Sequence, residues 1–380
     1  MDLDAFLKEW HDGSPTLTVH TSGSTGQPKP MLVEKRRMEA SARITCRFLG
    51  LKAGDTALLC LPLDYIAGKM MVVRALTCGL RLISVAPSGH PLKAPLTAPE
   101  GASIVSAHEK GVTSPPLGGV RGVAIDFAAM VPLQVWNSLQ VPEEREQLMQ
   151  IRHLIIGGGA IDEELEQQLK TFPNAVWSTY GMTETLSHIA LRRLNGPDAS
   201  PWYTPFEGVS VSLNADSCLV IDAPAVHEGP LVTNDIAEIK TLPAGNGEMT
   251  ASVDKQGVQS DCPPHCREGL GVGLFRILGR KDNVICSGGV KIQAEEVERL
   301  LRPHLKAPFC ITHCKDPRLG EAVVLLSEER DAERLRPVCE QVLPRLWKPH
   351  HYISIDKIPL TATGKIARKE AYLSVCRGGS

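Results

Sequence analysis

Between His20 and Pro30 the chain reads His-Thr-Ser-Gly-Ser-Thr-Gly-Gln-Pro-Lys-Pro, gathering hydroxyls, two glycines and a lysine in one short loop. Gly23 and Gly26 let the backbone turn tightly and expose N–H donors, Ser22, Ser24 and Thr25 add hydroxyls, and Lys29 adds a mobile positive charge. Such a loop suits the oxygens of a polyphosphate. It contains neither Gly-x-x-x-x-Gly-Lys-Ser/Thr nor Gly-x-Gly-x-x-Gly, so two common nucleotide fingerprints are excluded. Taken alone, the string reads more readily as a Ser/Gly-rich surface turn.

Its partners lie further along. An apolar strand, Ile151 to Ile156, runs into Gly157-Gly158-Gly159-Ala160, and Asp162 can cap a helix reaching towards Lys170. A second strand, Ala175 to Ser178, ends in Thr179-Tyr180-Gly181-Met182-Thr183-Glu184-Thr185. In an open α/β sheet, ligands collect outside the carboxyl ends of the strands, so both turns are expected to face one site. Cys262-Pro-Pro-His265-Cys266 and Cys310-Ile-Thr-His313-Cys314 repeat a spacing that would suit a soft metal, but the second copy reads as a strand and the first as a polar loop.

The elements that position these residues follow from pattern. Leu17-Thr18-Val19 and Met31-Leu32-Val33 read as strands on either side of the phosphate loop, and Lys35 to Phe48 has helical spacing stopped by Gly50. Strands near Ala57–Leu61, Arg81–Val85 and Ala102–Ser106, with a helix over Ile66–Leu76, give a β/α alternation and predict a largely parallel sheet covered by helices. From Val209 to Leu242 short strands and turns predict a β-rich subdomain containing Thr233-Asn234-Asp235, and residues 243–273 read as a loop. Gly279-Arg280-Lys281-Asp282, the turn Ser287-Gly288-Gly289 and a helix from about Ala294 open a separate small α+β domain.

The 380 residues suffice for two or three domains, and 41 Lys+Arg against 43 Asp+Glu leave a formal charge of -2, which excludes bulk electrostatic binding to nucleic acid or an anionic membrane. The acidic start Met1-Asp2-Leu3-Asp4 lacks the regions of a signal peptide, and Lys69 and Arg74 interrupt the most apolar stretch, so a cytoplasmic protein is expected. Eleven cysteines, an odd number in a long chain, predict reduced thiols.

With these blocks in order, the chain resembles the adenylate-forming acyl-CoA ligase superfamily over nearly its whole length. Thr21 to Lys29 resembles its phosphate loop, Tyr180 to Glu184 its adenine and metal motif, Asp235 its ribose-binding acid, Gly279 to Asp282 its hinge, and Pro359-Leu-Thr-Ala-Thr-Gly-Lys365 its C-terminal lysine motif. Leu61-Pro-Leu-Asp-Tyr-Ile-Ala-Gly68 and Tyr180-Gly-Met-Thr-Glu-Thr-Leu-Ser-His188 are similar to the o-succinylbenzoate-CoA ligases of menaquinone biosynthesis, particularly compact bacterial forms. The resemblance implies an α/β, N-terminally shortened adenylate-forming fold: a large adenylation domain over 1–279, including a β-rich subdomain from about 205, and a small mobile C-terminal domain over 280–380 hinged near Asp282. Only about twenty residues precede the phosphate loop, Pro30 replaces the usual glycine after Lys29, and Tyr65 stands where many ligases have a gating histidine.

The implied chemistry uses ATP, Mg²⁺ and coenzyme A. Lys29 and the loop hydroxyls would hold the β and γ phosphates, Gly158, Gly159 and Ala160 would approach nucleotide or acyl group through their backbone, and Tyr180, beside Gly181, would stack on adenine. Thr183 would contact the α-phosphate, Glu184 would ligate Mg²⁺, Asp235 and Arg280 would hold the ribose, and Lys365 would bridge carboxylate and α-phosphate as they meet. After rotation about Asp282, the turn Ser287-Gly288-Gly289 would line the coenzyme A tunnel. An aryl acid with a second carboxylate needs a positive or hydrogen-bonding group in an apolar pocket; the candidates are Lys69, Arg74, His188 and Arg193, with Tyr65 at its entrance. The alternatives are another aryl- or fatty-acyl-CoA ligase and a nonenzymatic nucleotide-binding scaffold.

Overall fold

The computed structural model describes residues 1–20, 30–93, 104–105, 124–159, 161, 163–241, 273–361 and 366–378. Helix α1 (Leu3–Trp10) precedes an antiparallel pair, β1 (Thr16–His20) and β2 (Pro30–Glu34), whose register sets His20 opposite Pro30. The two ends of the 21–29 segment are therefore paired; the segment itself lies outside the described residues.

Helix α2 (Lys35–Phe48) leads to β3 (Thr56–Leu59), α3 (Ile66–Cys78), β4 (Arg81–Ser84), β5 (Ile104–Val105) and β6 (Phe127–Met130). There follow α4 (Pro132–Leu139), α5 (Pro142–Gln150), β7 (His153–Ile156), α6 (Glu163–Leu169), β8 (Ala175–Gly181), β9 (His188–Arg193) and β10 (Thr204–Pro205). One sheet takes these strands in the order β10-β9-β8-β7-β6-β3-β4-β5, with β4, β3, β6, β7 and β8 parallel and both margins antiparallel.

Strand periodicity explains the two cores. Ala57 and Leu59 on β3, Phe127 and Ala129 on β6 and Ile155 on β7 join one cluster with α2 and α3. The alternate residues, Leu58, Ala128, Met130, Leu154 and Ile156, join another with α4, α5 and α6. Because both faces are covered, every residue of β3 and β6 is buried, as expected for central parallel strands. Helix α2 buries Met38, Ala42, Thr45 and Cys46 at three- and four-residue intervals, whereas α3 is buried continuously from Gly68 to Ala75 because α1 and α2 pack on the side away from the sheet.

A four-stranded antiparallel sheet follows from β11 (Ser210–Leu213), β12 (Cys218–Asp222), β13 (Leu231–Thr241) and β14 (Gly273–Arg280). Residues 242–272, which include the expected loop up to Val272, are outside the described residues. A last sheet combines β15 (Val284–Ser287), β16 (Val290–Gln293), β17 (Phe309–Asp316), β18 (Gly320–Ser327) and β19 (His351–Ser354) with α7 (Ala294–Leu301), α8 (Arg336–Val342) and α9 (Arg368–Gly378). Here again alternation divides β18, with Val323 and Leu325 on one core and Val324 and Leu326 on the other. Among the described residues no helix is long and apolar enough to cross a membrane.

Candidate active site

Met130, Ile156 and Ser178 stand level on adjacent strands β6, β7 and β8. The turns after β7 and β8 therefore open side by side at the carboxyl edge of the sheet. Gly157 N–H donates to Met130 O at 3.1 Å, and a Cβ at Gly157 would lie 2.3 Å from Thr179 Oγ1, so the first turn presses directly on β8. Gly158 and Gly159 continue it beside Val131 and Pro132.

The second turn, from Met182 to Ser187, is closed by its own side chains. Thr185 Oγ1 accepts from Met182 N–H at 3.0 Å and reaches Ser187 O at 2.7 Å, while Leu186, held at φ +63°, donates N–H to Thr183 O at 2.9 Å. Gly181 is required where the turn returns: a Cβ there would sit 2.2 Å from Ser187 O and 2.4 Å from His188 Cα. Thr183 is buried, and Glu184 is half-buried on a turn between two strands. The Glu184 carboxylate makes no hydrogen bond or ion pair among the described residues. A single uncommitted carboxylate at this edge of the sheet fits Mg²⁺, which takes one or two carboxylates and fills the rest of its shell with other oxygens and water.

Beneath this turn lies a buried polar chain joining α2, α3 and β9. Arg74 is 1% exposed, and its Nη2 donates to Ser187 Oγ at 2.7 Å. Among the described residues its Nε has no partner and its Nη1 reaches only Met71 Sδ at 3.9 Å, and the guanidinium lies 6.0 Å from the Phe127 ring centre. No carboxylate pairs with it among the described residues, and burial pushes it down to about 10. Ser187 Oγ is 3.2 Å from His188 Nδ1, His188 Nε2 is 3.1 Å from Thr45 Oγ1, and Thr45 Oγ1 donates to Ser41 O at 3.1 Å. Complete burial, reinforced by the Arg74 charge, holds His188 well below its usual range and therefore neutral.

A second polar group forms where β13 pairs with β14. Asp235 stands opposite Arg280, with Nη1 3.5 Å from Oδ1, and Tyr180 donates its hydroxyl to Asp235 Oδ2 at 2.6 Å. Arg280 Nη2 also donates to Asp282 Oδ2 at 2.9 Å, and Asn234 Nδ2 donates to the same carboxylate at 3.2 Å. The Tyr180 ring is enclosed by Phe275, edge to face at 5.1 Å, and Tyr203 at 5.8 Å. Burial and then the neighbouring Asp235 charge push its phenol up. Tyr180 thus links the Glu184 turn to the ribose candidates, rather than standing as an isolated stacking plate.

The expected acyl-pocket residues separate. Arg74 and His188 meet through Ser187; Tyr65, 37% exposed, immediately precedes α3. Lys69, one and a half turns from Arg74, points elsewhere: its Nζ lies 5.2 Å from the Phe6 ring centre and 3.9 Å from Glu9 Oε2, against α1. Arg193 stands opposite Trp177, near the other end of β8 from Gly181, with its guanidinium 5.0 Å from the Trp177 ring and Nε donating to Asn195 at 2.9 Å. Asp282 occupies a 3₁₀ turn directly after β14, and Ser287-Gly288-Gly289 forms the β15–β16 turn, pinned by Gly288 N–H to Leu319 O at 2.9 Å. Thr21 to Lys29, Ala160, Asp162 and Lys365 fall outside the described residues. So do Cys262, His265 and Cys266, and among the described residues no three His, Cys, Asp or Glu side chains converge on a metal position.

Sequence reasoning passed over Ser187 and Thr185, although both lie inside the string that carried the nucleotide motif. Thr45, Tyr203 and Phe275 had no local signal, because their contacts are made across the fold.

The chain belongs to the AMP-binding enzyme family, whose model matches residues 6–224. Its fold is that of the adenylate-forming enzymes. It is similar to 2-succinylbenzoate-CoA ligases: 23% identical to that of Bacillus cereus strain Q1, over 97% of this chain and 72% of the relative, and 25% identical to that of Haemophilus influenzae, over 97% and 73%. Among solved structures, the acyl-CoA synthetase (AMP-forming)/AMP-acid ligase II-like protein from Dyadobacter fermentans is 29% identical with a TM-score of 0.57, covering 98% of this chain and 92% of that one. The o-succinylbenzoate coenzyme A synthetase from Bacillus subtilis, in complex with ATP and magnesium ion, is 18% identical with a TM-score of 0.63, covering 93% and 69%.

Proposed function

We propose that this chain joins o-succinylbenzoate to coenzyme A at the expense of ATP, through an acyl-AMP intermediate, as a cytoplasmic step of menaquinone biosynthesis. A carboxylate is a poor electrophile. Attack of its oxygen on the α-phosphorus of ATP forms a mixed anhydride, releases pyrophosphate and turns the oxygen into part of a good leaving group; the coenzyme A thiol then displaces AMP. The charge that develops on the phosphoryl oxygens requires donors and cations fixed in advance.

In this reading Lys29 and its loop take the β and γ phosphates, Thr183 takes the α-phosphate, Asp235 and Arg280 take the ribose hydroxyls, and Lys365 bridges the reacting oxygens. Glu184 would hold Mg²⁺, which would supply positive charge against the phosphate oxygens. Tyr180 hands its Asp235 hydrogen bond to the ribose when nucleotide enters. Rotation about Asp282 withdraws Lys365 and brings Ser287, Gly288 and Gly289 beside the thiol path.

The observation that carries the choice of acid is Arg74. A wholly buried guanidinium with no carboxylate partner among the described residues, tied to the turn that bears Glu184, favours an acid bringing a second carboxylate of its own. The resemblance to succinylbenzoate ligases supports the same acid.

The test is acid-dependent pyrophosphate release with MgATP and o-succinylbenzoate, benzoate or a medium-chain fatty acid, with and without coenzyme A. Preference for o-succinylbenzoate, with a coenzyme A thioester as product, supports the reading. Preference for another acid retains adenylation and removes the menaquinone assignment.

A further inference from the structure

We infer that His188 is a positioning residue for the choice of acid: fixed as its Nε2–H tautomer, it draws the Ser187 hydroxyl proton towards itself, so that Ser187 offers a lone pair to Arg74 and aims the remaining guanidinium donors at the substrate's second carboxylate. This rests on the reading of Arg74 given above.

The tautomer follows from counting protons along the chain. Thr45 has one hydroxyl proton, and Thr45 Oγ1 donates it to Ser41 O at 3.1 Å; it must then accept from His188, so the proton on the ring is at Nε2. His188 Nδ1 is left as an acceptor, and Ser187 Oγ, 3.2 Å away, supplies its proton. Ser187 Oγ in turn accepts from Arg74 Nη2 at 2.7 Å. This arrangement satisfies four contacts running in one direction, Arg74 to Ser187 to His188 to Thr45 to Ser41. With the proton on Nδ1 instead, Thr45 would give its proton to His188 and lose Ser41, and the Ser187 hydroxyl would have no acceptor among the described residues. A charged ring would force two donors onto its neighbours beside the Arg74 cation inside a buried site. The network therefore assigns a single state.

The consequence is directional. Arg74 uses Nη2 on Ser187, which leaves Nε buried without a partner and Nη1 with only a thioether contact. Nη2 keeps a second N–H, and a guanidinium anchored at this corner holds its free N–H groups in a fixed plane in which Nη2 pairs with Nε or Nη1, the geometry that takes a carboxylate through two parallel hydrogen bonds. If Ser187 turned its proton towards Arg74, two donors would oppose each other and the fork would lose its anchor.

Two substitutions separate this role from packing. Asn carries its amide oxygen where the imidazole carries Nδ1, and so keeps an acceptor for Ser187; Gln places its amide one carbon further out, where it can donate to Thr45 but leaves Ser187 without that acceptor. Gln is also closer in size to His, so a packing role ranks His188→Gln above His188→Asn. The inference demands the reverse: His188→Gln should raise KM for o-succinylbenzoate about ten-fold with KM for ATP unchanged, while His188→Asn stays within about three-fold of the parent enzyme. Ser187→Ala should match the Gln variant, which keeps the test available if the Asn variant does not fold. KM in the Gln variant equal to or below that in the Asn variant, or an unchanged KM in Ser187→Ala, overturns the inference while Arg74→Met still raises KM. An unchanged KM in Arg74→Met overturns the reading of Arg74 and the inference with it.

Discussion

Replacing Arg74 by methionine should make the substrate-free protein more stable and the enzyme worse. The side chain is fully enclosed by α2, the sheet and the Ser187 turn, and burial pulls its guanidinium from its ordinary range down to about 10. The folded state thus binds that proton less tightly than the unfolded chain does. At pH 7 both states remain protonated, so folding carries the whole cost, about 3 kcal/mol, and would recover it only as pH rises past about 10. Methionine fills a similar volume against Phe127 and Met71 without the charge. It forfeits the bond to Ser187, worth about 1.5 kcal/mol because the donor is charged. The surplus is on the order of 1 kcal/mol, enough to raise the apparent Tm by a degree or two. Loss of a two-bonded carboxylate contact should at the same time raise KM for o-succinylbenzoate about 30-fold or more, with KM for ATP within about two-fold. Scanning calorimetry without ligand and a pyrophosphate-release assay read the two effects separately. A variant less stable than the parent, with unchanged KM for the acid, would refute the reasoning, since Arg74 would then be a satisfied structural cation.

Other perturbations test the remaining parts. Asp235→Asn removes the charge that accepts from Tyr180 at 2.6 Å and faces Arg280; KM for ATP should rise about ten-fold while KM for the acid stays within about three-fold, and equal rises in both would count against a ribose role. Lys365→Ala should block acyl-AMP formation yet still allow thioester formation from supplied acyl-AMP, and a parallel loss of both half-reactions would remove the division of labour. Gly181→Ala introduces a Cβ 2.2 Å from Ser187 O, so the Glu184 turn must shift; adenylation should fall about 100-fold, and a parental rate would show that the turn yields freely.

Particular elements show how far local pattern carries. The helix read from spacing over Lys35–Phe48 has those limits in the structure, because its apolar stripe, its stop at Gly50 and the burial of Met38, Ala42, Thr45 and Cys46 are the same fact seen from two sides. The strand Cys310 to Cys314 lies within β17. Asp235 and Arg280, separated by 45 residues of sequence, were grouped by resemblance and stand opposite each other on paired strands. By contrast α1, β6, α4 and α5 attracted no reading: α1 is a short amphipathic helix, β6 is a four-residue run buried on both sides, and α5 buries only Glu144 and Leu148.

The sequence by itself pointed to the reaction class through its resemblance to the adenylate-forming ligases, which is carried by residues 21–29, the Tyr180–Glu184 string, Asp235, Gly279–Asp282 and Lys365 and survives without coordinates. It also separated a largely parallel sheet from a later β-rich stretch, since periodicity and connection length are local properties, while the antiparallel pairing of that stretch came from the structure. Only the tertiary structure separated the two candidate cations. Lys69 and Arg74 lie five residues apart on one helix and look alike as charged interruptions of an apolar run. Yet one is packed on Phe6 of α1 and the other is tied to Ser187, 113 residues away. Helix α3 is buried on all sides, so its own period could not sort them; the partners brought by chain-distant elements did.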